Sequence, residues 1–423
     1  MKDNYKPRLI DKTLSKYLAT FGAVCIEGPK WCGKTWACEN QASSVFRLAD
    51  PTNNFQNREL AKIDIYATLS GDKPHLIDEW QEMPEIWDAV RHKVDEIGKT
   101  GQFLLTGSST PHRKGIYHSG AGRIATLKMD TLSLWESEDS CGAVSLMDLF
   151  EGKVQNKLTG DVDLKHLADL IVRGGWPAMF SSTSKSYSSL MAKQYIDAII
   201  NEDINRLEGT KRNIDKMRIL LRSLARNEST TVSMNTLRND MQNMDGSALD
   251  DETIADYLGV LKRMFLIENQ EPFSPNVRSS VRVKQAEKLH FADPSIPCAI
   301  LGLNRHSLLN NITTMGFLFE SLCEHDLRVY AKELDGKLYH YQDYKQREID
   351  AVVELPDGRW GAFEIKLGSR QIDEAAENLK SISKSFKETG NAPTFLAVIC
   401  GMSNAVYRRA DGVYVLPLTA LKD

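Results

Sequence analysis

The sequence predicts an α/β protein with two separate chemical centres and a largely helical middle. Three observations lead to this prediction. A glycine-rich loop at residues 28–35 follows an apolar segment, two carboxylates at 78–79 end a second apolar segment, and an acidic hairpin occupies 347–367. Apolar strand, glycine loop and helix in this order are typical of parallel α/β sheets.

Length, charge and cysteine use narrow the class of protein. The 423 residues are enough for about two to three domains. The net charge of -4 predicts that any nucleic-acid surface is a local patch. Seven cysteines without a Cys-x-x-Cys pair argue against a disulfide framework and a zinc ribbon. No apolar signal core or membrane-length segment is recognisable, so we expect a cytoplasmic protein without a membrane partner.

The first centre fits the pattern G-x-x-x-x-G-K-[ST] of a phosphate-binding loop, or P-loop. Its residues are Gly28, Pro29, Lys30, Trp31, Cys32, Gly33, Lys34 and Thr35. Backbone N–H groups of such a loop bind phosphate, Lys34 would reach the β- and γ-phosphates, and Thr35 would hold Mg²⁺. The predicted cofactors are therefore ATP and Mg²⁺, although no base-reading motif separates ATP from GTP. A chance glycine turn is the alternative, and the strand and helix predicted on either side argue against it.

Two further strands are expected to end beside the phosphates. The segment His75–Asp78 is followed by Glu79, so Asp78 would bind Mg²⁺ and Glu79 would orient and deprotonate the attacking water. In the strand at 102–109, Thr106 or Ser108 could sense the γ-phosphate. A plain turn after a buried strand is the alternative for that segment.

Arg123 stands on a glycine-flanked turn, Gly120-Ala121-Gly122-Arg123, before an alternating strand at 124–129. An arginine in such a place can stabilise charge on the transferring phosphoryl group. It would act either in its own chain or from a neighbouring subunit, which would require a homo-oligomer. A surface arginine without a catalytic role is the alternative.

Several motifs together resemble the AAA+-type prokaryotic ATPases that carry a C-terminal domain of unknown function. They are the P-loop, Leu-Ile-Asp-Glu-Trp-Gln at 76–81, Leu-Leu-Thr-Gly-Ser-Ser at 104–109, Gly-Arg-Ile at 122–124, the stretch 132–146, Arg-Gly-Gly-Trp-Pro at 173–177 and Phe-Ala-Asp-Pro-Ser at 291–295. The resemblance implies a P-loop ATPase core (1–150), a helical and winged-helix middle (151–290) and a nuclease-like domain (291–423). The resemblance also implies that residues 28–35 bind phosphate and that Arg123 is an arginine finger. Asp78 would then bind the metal ion, and Glu79 would activate the attacking water.

The middle region is predicted to be helical at 160–230 and 253–261, followed by a strand near 264–268. This order suits a winged helix, which binds either DNA or protein. Basic residues cluster at 206–226 and again at 278–288, and both segments could contact phosphate backbone. The alternative is that these residues lie on solvated helix faces that carry acids as well as bases. This alternative is favoured for the segment 206–226.

The second centre is a hairpin with the turn Pro356-Asp357-Gly358. If residue 355 pairs with residue 359, Asp350 lies opposite Glu364, and Lys366 shares their face. Facing carboxylates repel each other, so they invite a cation between them. Lys366 could then activate a water or stabilise developing charge.

This pattern resembles the PD-(D/E)XK nuclease fold, a restriction-endonuclease-like α/β domain, in which an upstream helix usually adds one acid. Glu320 is that candidate, so the predicted metal ligands are Glu320, Asp350 and Glu364, with Lys366 as the catalytic lysine. The alternative is a nuclease fold that has lost its metal and serves for docking.

Taken together, the sequence predicts an ATP-hydrolysing protein whose nuclease-like domain acts on or binds nucleic acid, with DNA favoured over RNA. The alternative is a nucleotide-dependent DNA- or protein-binding switch with an inactive nuclease fold. A small-molecule kinase is disfavoured, because no acceptor-binding lid is recognisable.

Overall fold

The computed structural model describes residues 5–109, 116–180, 188–204, 212–245, 250–276, 279, 282, 285–388 and 390–423. Within these ranges the chain forms two compact units. The first contains 5–131 with Ile204 and Gly259–Leu266, and the second contains Leu132–Asp203, Arg212–Leu258 and Ile267–Asp423.

The first unit is built on a parallel sheet of five strands in the order β2-β3-β4-β1-β5. Its strands are β1 (Ala23–Glu27), β2 (Ser44–Arg47), β3 (His75–Asp78), β4 (Phe103–Gly107) and β5 (Ile124–Lys128). Its helices include α1 (Ile10–Thr20), α2 (Lys34–Gln41), α3 (Thr52–Ile63) and α4 (Ile86–Ile97). The predicted strands are confirmed to within two residues.

The central strands are continuous apolar runs because both faces of the sheet are covered. On β1 the side chains of Ala23, Val24 and Cys25 are completely buried. On one side of the sheet, α4 contributes Val90 to the core, and on the other α1 contributes Leu14. Parallel pairing brings the carboxyl ends of all five strands to one edge, where the P-loop begins.

The second unit contains a nine-stranded sheet in the order β7-β14-β15-β13-β12-β11-β10-β8-β9 and a separate pair, β6 and β16. The strands are β6 (Val144–Ser145), β7 (Lys157–Leu158), β8 (Ile267–Pro272), β9 (Lys288–Phe291), β10 (Lys337–Gln342), β11 (Glu348–Glu354), β12 (Trp360–Lys366), β13 (Phe395–Cys400), β14 (Ala405–Arg408), β15 (Tyr414–Leu416) and β16 (Leu421–Lys422). The helices after residue 131 include α5 (Leu146–Glu151), α6 (Leu164–Arg173), α7 (Ser188–Ala198), α8 (Ile214–Arg226), α9 (Met234–Asp245), α10 (Asp251–Arg263), α11 (Ser295–Ile300), α12 (Arg305–Asn310), α13 (Ile312–Glu333) and α14 (Ile372–Glu388).

The strand β8 overlaps the end of the strand expected near 264–268, and it pairs in antiparallel direction with β9. However, β8 also pairs with β10 in parallel, through Tyr339 opposite Glu271. The pair therefore extends the sheet that holds the acidic hairpin. The shared sheet thus includes β8, which begins at Ile267, and β7, which begins at Lys157, and both precede the boundary expected near residue 290.

Three of the motif stretches are joined by hydrogen bonds around Gly175 and the buried carboxylate of Asp293. It accepts hydrogen bonds from the backbone N–H of Gly175 at 2.8 Å and from Ser295. The Trp176 indole donates to the Ser295 hydroxyl at 2.9 Å, and the Leu132 N–H donates to the Gly175 carbonyl at 2.7 Å. These motifs therefore have a structural role here, since they hold three distant parts of the chain together.

In the part of the chain that the structure describes, no helix combines the length and apolar character needed to cross a bilayer.

Candidate functional sites

The P-loop lies between β1 and α2, as predicted. Gly33, the residue before α2, has a φ of 106°, and Gly28 has a φ of 154°. A Cβ on Gly28 would lie 2.2 Å from the Met129 carbonyl oxygen, so only glycine fits there. The helix α2 therefore starts at Lys34 with its N-terminal N–H groups at the loop, the arrangement that binds anions.

Lys34 is the buried cation of this loop. Its Nζ donates hydrogen bonds to the carbonyl oxygens of Gly28 at 2.9 Å and Pro29 at 2.8 Å. The ammonium therefore points back into the loop, where a bound phosphate would compete with the two carbonyls for it.

Thr35, Asp78 and Thr106 form a hydrogen-bonded cluster at the carboxyl edge of the sheet. The hydroxyls of Thr35 and Thr106 both donate to Asp78 Oδ1, at 2.8 and 2.6 Å. Because β4 lies between β1 and β3, Thr106 fills the gap between the P-loop strand and Asp78. Mg²⁺ prefers oxygen ligands, so the Thr35 hydroxyl and the Asp78 carboxylate suit that ion.

Glu79 forms hydrogen bonds with Thr106, Gln81 and Ser108, a grouping that the sequence did not predict. It has a φ of 59°, and its N–H donates to the Thr106 hydroxyl at 3.2 Å. Its carboxylate accepts from the Gln81 amide and from the Ser108 hydroxyl, which also contacts Gln81. Gln81 ends the motif at 76–81, but its role was missed because the sequence does not show that its amide lies against the Glu79 carboxylate.

A second missed residue is Arg8, which shapes the loop from the N-terminal segment. Its guanidinium donates to the carbonyls of Cys32 at 2.8 Å and Asp130 at 2.9 Å, and the side chain is buried. A lone arginine 24 residues before Cys32 gives no sequence signal for this contact.

The expectation that Arg123 acts at the P-loop of its own chain is wrong. The register places Ala23 beside Ile124 and Glu27 beside Lys128, so Arg123 lies at the start of β5. The P-loop follows the other end of β1, about 16 Å away at the usual rise per strand residue. At the edge away from the P-loop, the Arg123 guanidinium forms an ion pair with Asp95 at 2.8 Å.

At the second centre, the predicted hairpin register is confirmed. Glu354 pairs with Trp360 and Ala351 with Phe363, a register that puts Asp350 opposite Glu364. Lys366 joins the two acids, with Nζ 3.1 Å from Asp350 Oδ2 and 2.7 Å from Glu364 Oε2.

Backbone and amide donors complete the surroundings of these two carboxylates. The Ile365 N–H donates to Asp350 at 2.7 Å, and the Asn378 amide donates to Glu364 at 2.6 Å. The carboxylates of Asp350 and Glu364 therefore both accept hydrogen bonds from groups of the protein.

Glu320 does not join these acids as a metal ligand. It forms an ion pair with Lys288, whose Nζ lies 3.1 Å from Glu320 Oε1. No group of three or more His, Cys, Asp or Glu side chains within the described ranges is arranged to hold a metal ion. The geometry of Glu320, Asp350 and Glu364 therefore does not fit the predicted metal.

We expect Glu364 to make stability depend on pH. Burial, followed by the charge of Asp350, raises the pKa of Glu364 to about 8, although Lys366 opposes this. The raised pKa means that ionisation costs stability as pH rises from about 4.3 through 8. In EDTA, Glu364→Gln should therefore raise Tm relative to wild type by a few degrees more at pH 9 than at pH 6.

The matched control for that experiment is Glu377→Gln, whose side chain is 70% exposed. It should alter Tm equally at both pH values. An equal response of Glu364→Gln at pH 6 and pH 9 would contradict the raised pKa.

The predicted basic segments are largely compensated by acids. Arg212 pairs with Asp256 at 2.9 Å, and Arg218 pairs with Asp197 at 3.1 Å. Arg226 pairs with Asp240 and Arg282 with Glu354. Arg206, Lys211, Arg278 and Lys284 lie outside the described residues. These ion pairs do not favour extended contact with phosphate backbone.

Comparison with known families divides the chain into three matched stretches. Residues 20–138 match the model of an AAA domain. Residues 164–307 and 315–421 match two domains of unknown function, DUF8612 and DUF4143.

Uncharacterized proteins of Mycobacterium tuberculosis and Mycobacterium bovis are each 25% identical to this chain over 345 residues, 81% of this chain and 70% of theirs. A Walker-type ATPase of Pyrococcus abyssi aligns with 14% identity and a TM-score of 0.46, covering 71% of this chain and 97% of that one.

The AAA-domain match over residues 20–138 agrees with the P-loop found at the carboxyl edge of a parallel sheet. This chain carries that domain ahead of the two domains of unknown function.

Proposed function

We propose that this protein hydrolyses ATP with Mg²⁺ and uses the nucleotide state to control what its C-terminal part binds. The observation that carries the proposal is the cluster of Thr35, Asp78 and Thr106 beside the P-loop. It joins the three elements that must act together: the loop, the acidic strand and the strand between them.

Each residue has a defined role in this proposal. The N–H groups of the loop and Lys34 bind the phosphates, and Thr35 and Asp78 hold Mg²⁺, which neutralises charge on the phosphate oxygens. Glu79 accepts a proton from the attacking water. Gln81 and Ser108 hold the Glu79 carboxylate in place for that transfer.

Replacing Thr35 by valine tests the proposal. The variant keeps the shape of the side chain but loses both the metal ligand and the bond to Asp78, so turnover should fall by about ten- to hundredfold. The measurement is steady-state phosphate release from ATP as Mg²⁺ is varied.

Thr35→Ser is the matched control, because it keeps the hydroxyl. It should retain most of the activity and the same Mg²⁺ dependence. Equal turnover of Thr35→Val and wild type would contradict the proposed metal site.

For the C-terminal domain, we infer a binding role rather than metal-dependent cleavage. The lysines beside the predicted metal ligands support this choice, since Lys288 and Lys366 already pair with Glu320, Asp350 and Glu364. End-labelled DNA and RNA incubated with Mn²⁺ and ATP should stay intact. Cleavage that disappears in Glu364→Ala would instead identify an ATP-coupled nuclease.

A further inference from the structure

Two exposed tryptophans lie at the P-loop. Trp31 is in the loop itself and is 61% exposed, and Trp36 follows Thr35 on α2 and is 55% exposed. The other two tryptophans of the first unit, Trp80 and Trp87, are buried in its core, where their ring centroids lie 4.9 Å apart. Tryptophan carries a large apolar surface, so its exposure beside a phosphate site indicates a surface that a ligand covers.

The direction of the Trp36 side chain follows from the faces of α2. The buried face of this helix carries Ala37 and Cys38, and the Thr35 hydroxyl donates a hydrogen bond to Asp78 of β3. Successive residues of an α-helix are separated by about 100° around its axis. Trp36 therefore points to solvent in the first turn of α2, away from the core and to one side of the contact with β3.

The order of the phosphates limits where a nucleoside would lie. In a P-loop, backbone N–H groups hold the α- and β-phosphates, whereas the lysine and the metal ion reach the γ-phosphate. The γ-phosphate end would therefore face Asp78 and Glu79, because the Thr35 hydroxyl is bonded to Asp78. The ribose and base, attached to the α-phosphate, would leave the loop away from these acids and pass the solvent side of the first turn of α2, where Trp36 is exposed.

We propose that the Trp36 indole stacks on the base of the bound nucleotide and makes this site selective for purines rather than for adenine alone. The inference rests on the proposed nucleotide binding at the P-loop and adds the means by which the base is recognised. An indole face stacks on any base, and a purine covers more of it than a pyrimidine does. Stacking requires no hydrogen-bonding side chain, in agreement with a sequence in which no base-reading motif separates ATP from GTP.

The test measures Kd by titration calorimetry in Mg²⁺ for wild type, Trp36→Leu and Trp36→Phe. The probes are ADP and inorganic pyrophosphate, which both carry two linked phosphates but differ in the nucleoside. Leucine keeps an apolar side chain without a ring, whereas phenylalanine keeps a ring that can stack. Because Trp36 is exposed, both variants should fold, with Tm within about 2 °C of wild type.

We expect Trp36→Leu to raise the Kd for ADP about tenfold, which is the loss expected for one base–aromatic stack, and to change the Kd for pyrophosphate by less than about twofold. Trp36→Phe should stay within about threefold of wild type for both probes. Wild type should bind ADP and GDP with Kd values within about threefold of each other, and should bind CDP and UDP at least about fivefold more weakly.

Unchanged ADP affinity in Trp36→Leu would overturn the inference and leave the proposed ATPase in place. An equal loss of ADP and pyrophosphate affinity would also overturn it, because Trp36 would then shape the phosphate loop rather than contact the base. Equal affinity of wild type for ADP and UDP would remove the purine selectivity. If wild type binds neither ADP nor ATP in Mg²⁺, the proposed nucleotide site itself is wrong.

Discussion

Replacing Lys34 by alanine is expected to reduce ATP turnover to background, a loss of at least about 100-fold. Lys34 is the buried cation of the P-loop, and its Nζ already contacts the two carbonyls that begin the loop. Bound phosphates would take over this ammonium, so the variant lacks charge where it develops on the transferring phosphoryl group. The measurement is phosphate release at saturating ATP and Mg²⁺.

Lys30 provides the control, because it lies in the same loop but is not the lysine of the motif. Lys30→Ala should keep most of the turnover. Lys34→Met, which retains the apolar stem, separates loss of charge from loss of packing and should be as inactive as Lys34→Ala. Wild-type turnover in both Lys34 variants would remove the ATPase assignment for this chain.

The sequence predicted the P-loop and β3 well because both are local. The residues that form them are adjacent in the chain, and each strand is a short apolar run bounded by polar residues. Thr106 emerged only as one of two candidates, since the strand order that places β4 between β1 and β3 is not encoded locally.

Arg123 was misplaced for a related reason. A glycine-flanked arginine looks the same in sequence at either end of a strand. Once β5 is known to run parallel to β1, a residue that precedes β5 must lie at the edge away from the P-loop. The ion pair with Asp95 then explains the residue without any catalytic role in its own chain.

The C-terminal hairpin was predictable in register because its three-residue loop fixes the pairing. Gly358 has the positive φ, 85°, that such a turn requires. Lys288 was not predictable in the same way. Its partner Glu320 is 32 residues away, and the contact arises only because β9 joins the sheet next to α13. Lys366 was readable from sequence as the partner of Asp350 and Glu364, whereas the pairing of Glu320 with Lys288 was not.

The second large effect is expected for Gly175→Ala, which should lower the free energy of unfolding by about 3 kcal/mol or more. A Cβ at residue 175 would lie 2.0 Å from the Leu132 carbonyl oxygen and 2.7 Å from the Leu132 nitrogen. These are backbone atoms, so no side-chain rotation can relieve the clash. Moving apart would break the bonds of Gly175 to Leu132 and to Asp293.

Gly316→Ala is the matched control, because a Cβ there meets nothing within 4 Å and the residue lies inside α13. Alanine should be neutral or slightly stabilising at that position. In thermal unfolding, Gly175→Ala should melt at least about 6 °C below wild type or be insoluble while Gly316→Ala is not. If the Tm of Gly175→Ala equals that of wild type, the close contacts of Gly175 with Leu132 and Asp293 do not stabilise the fold as we expect.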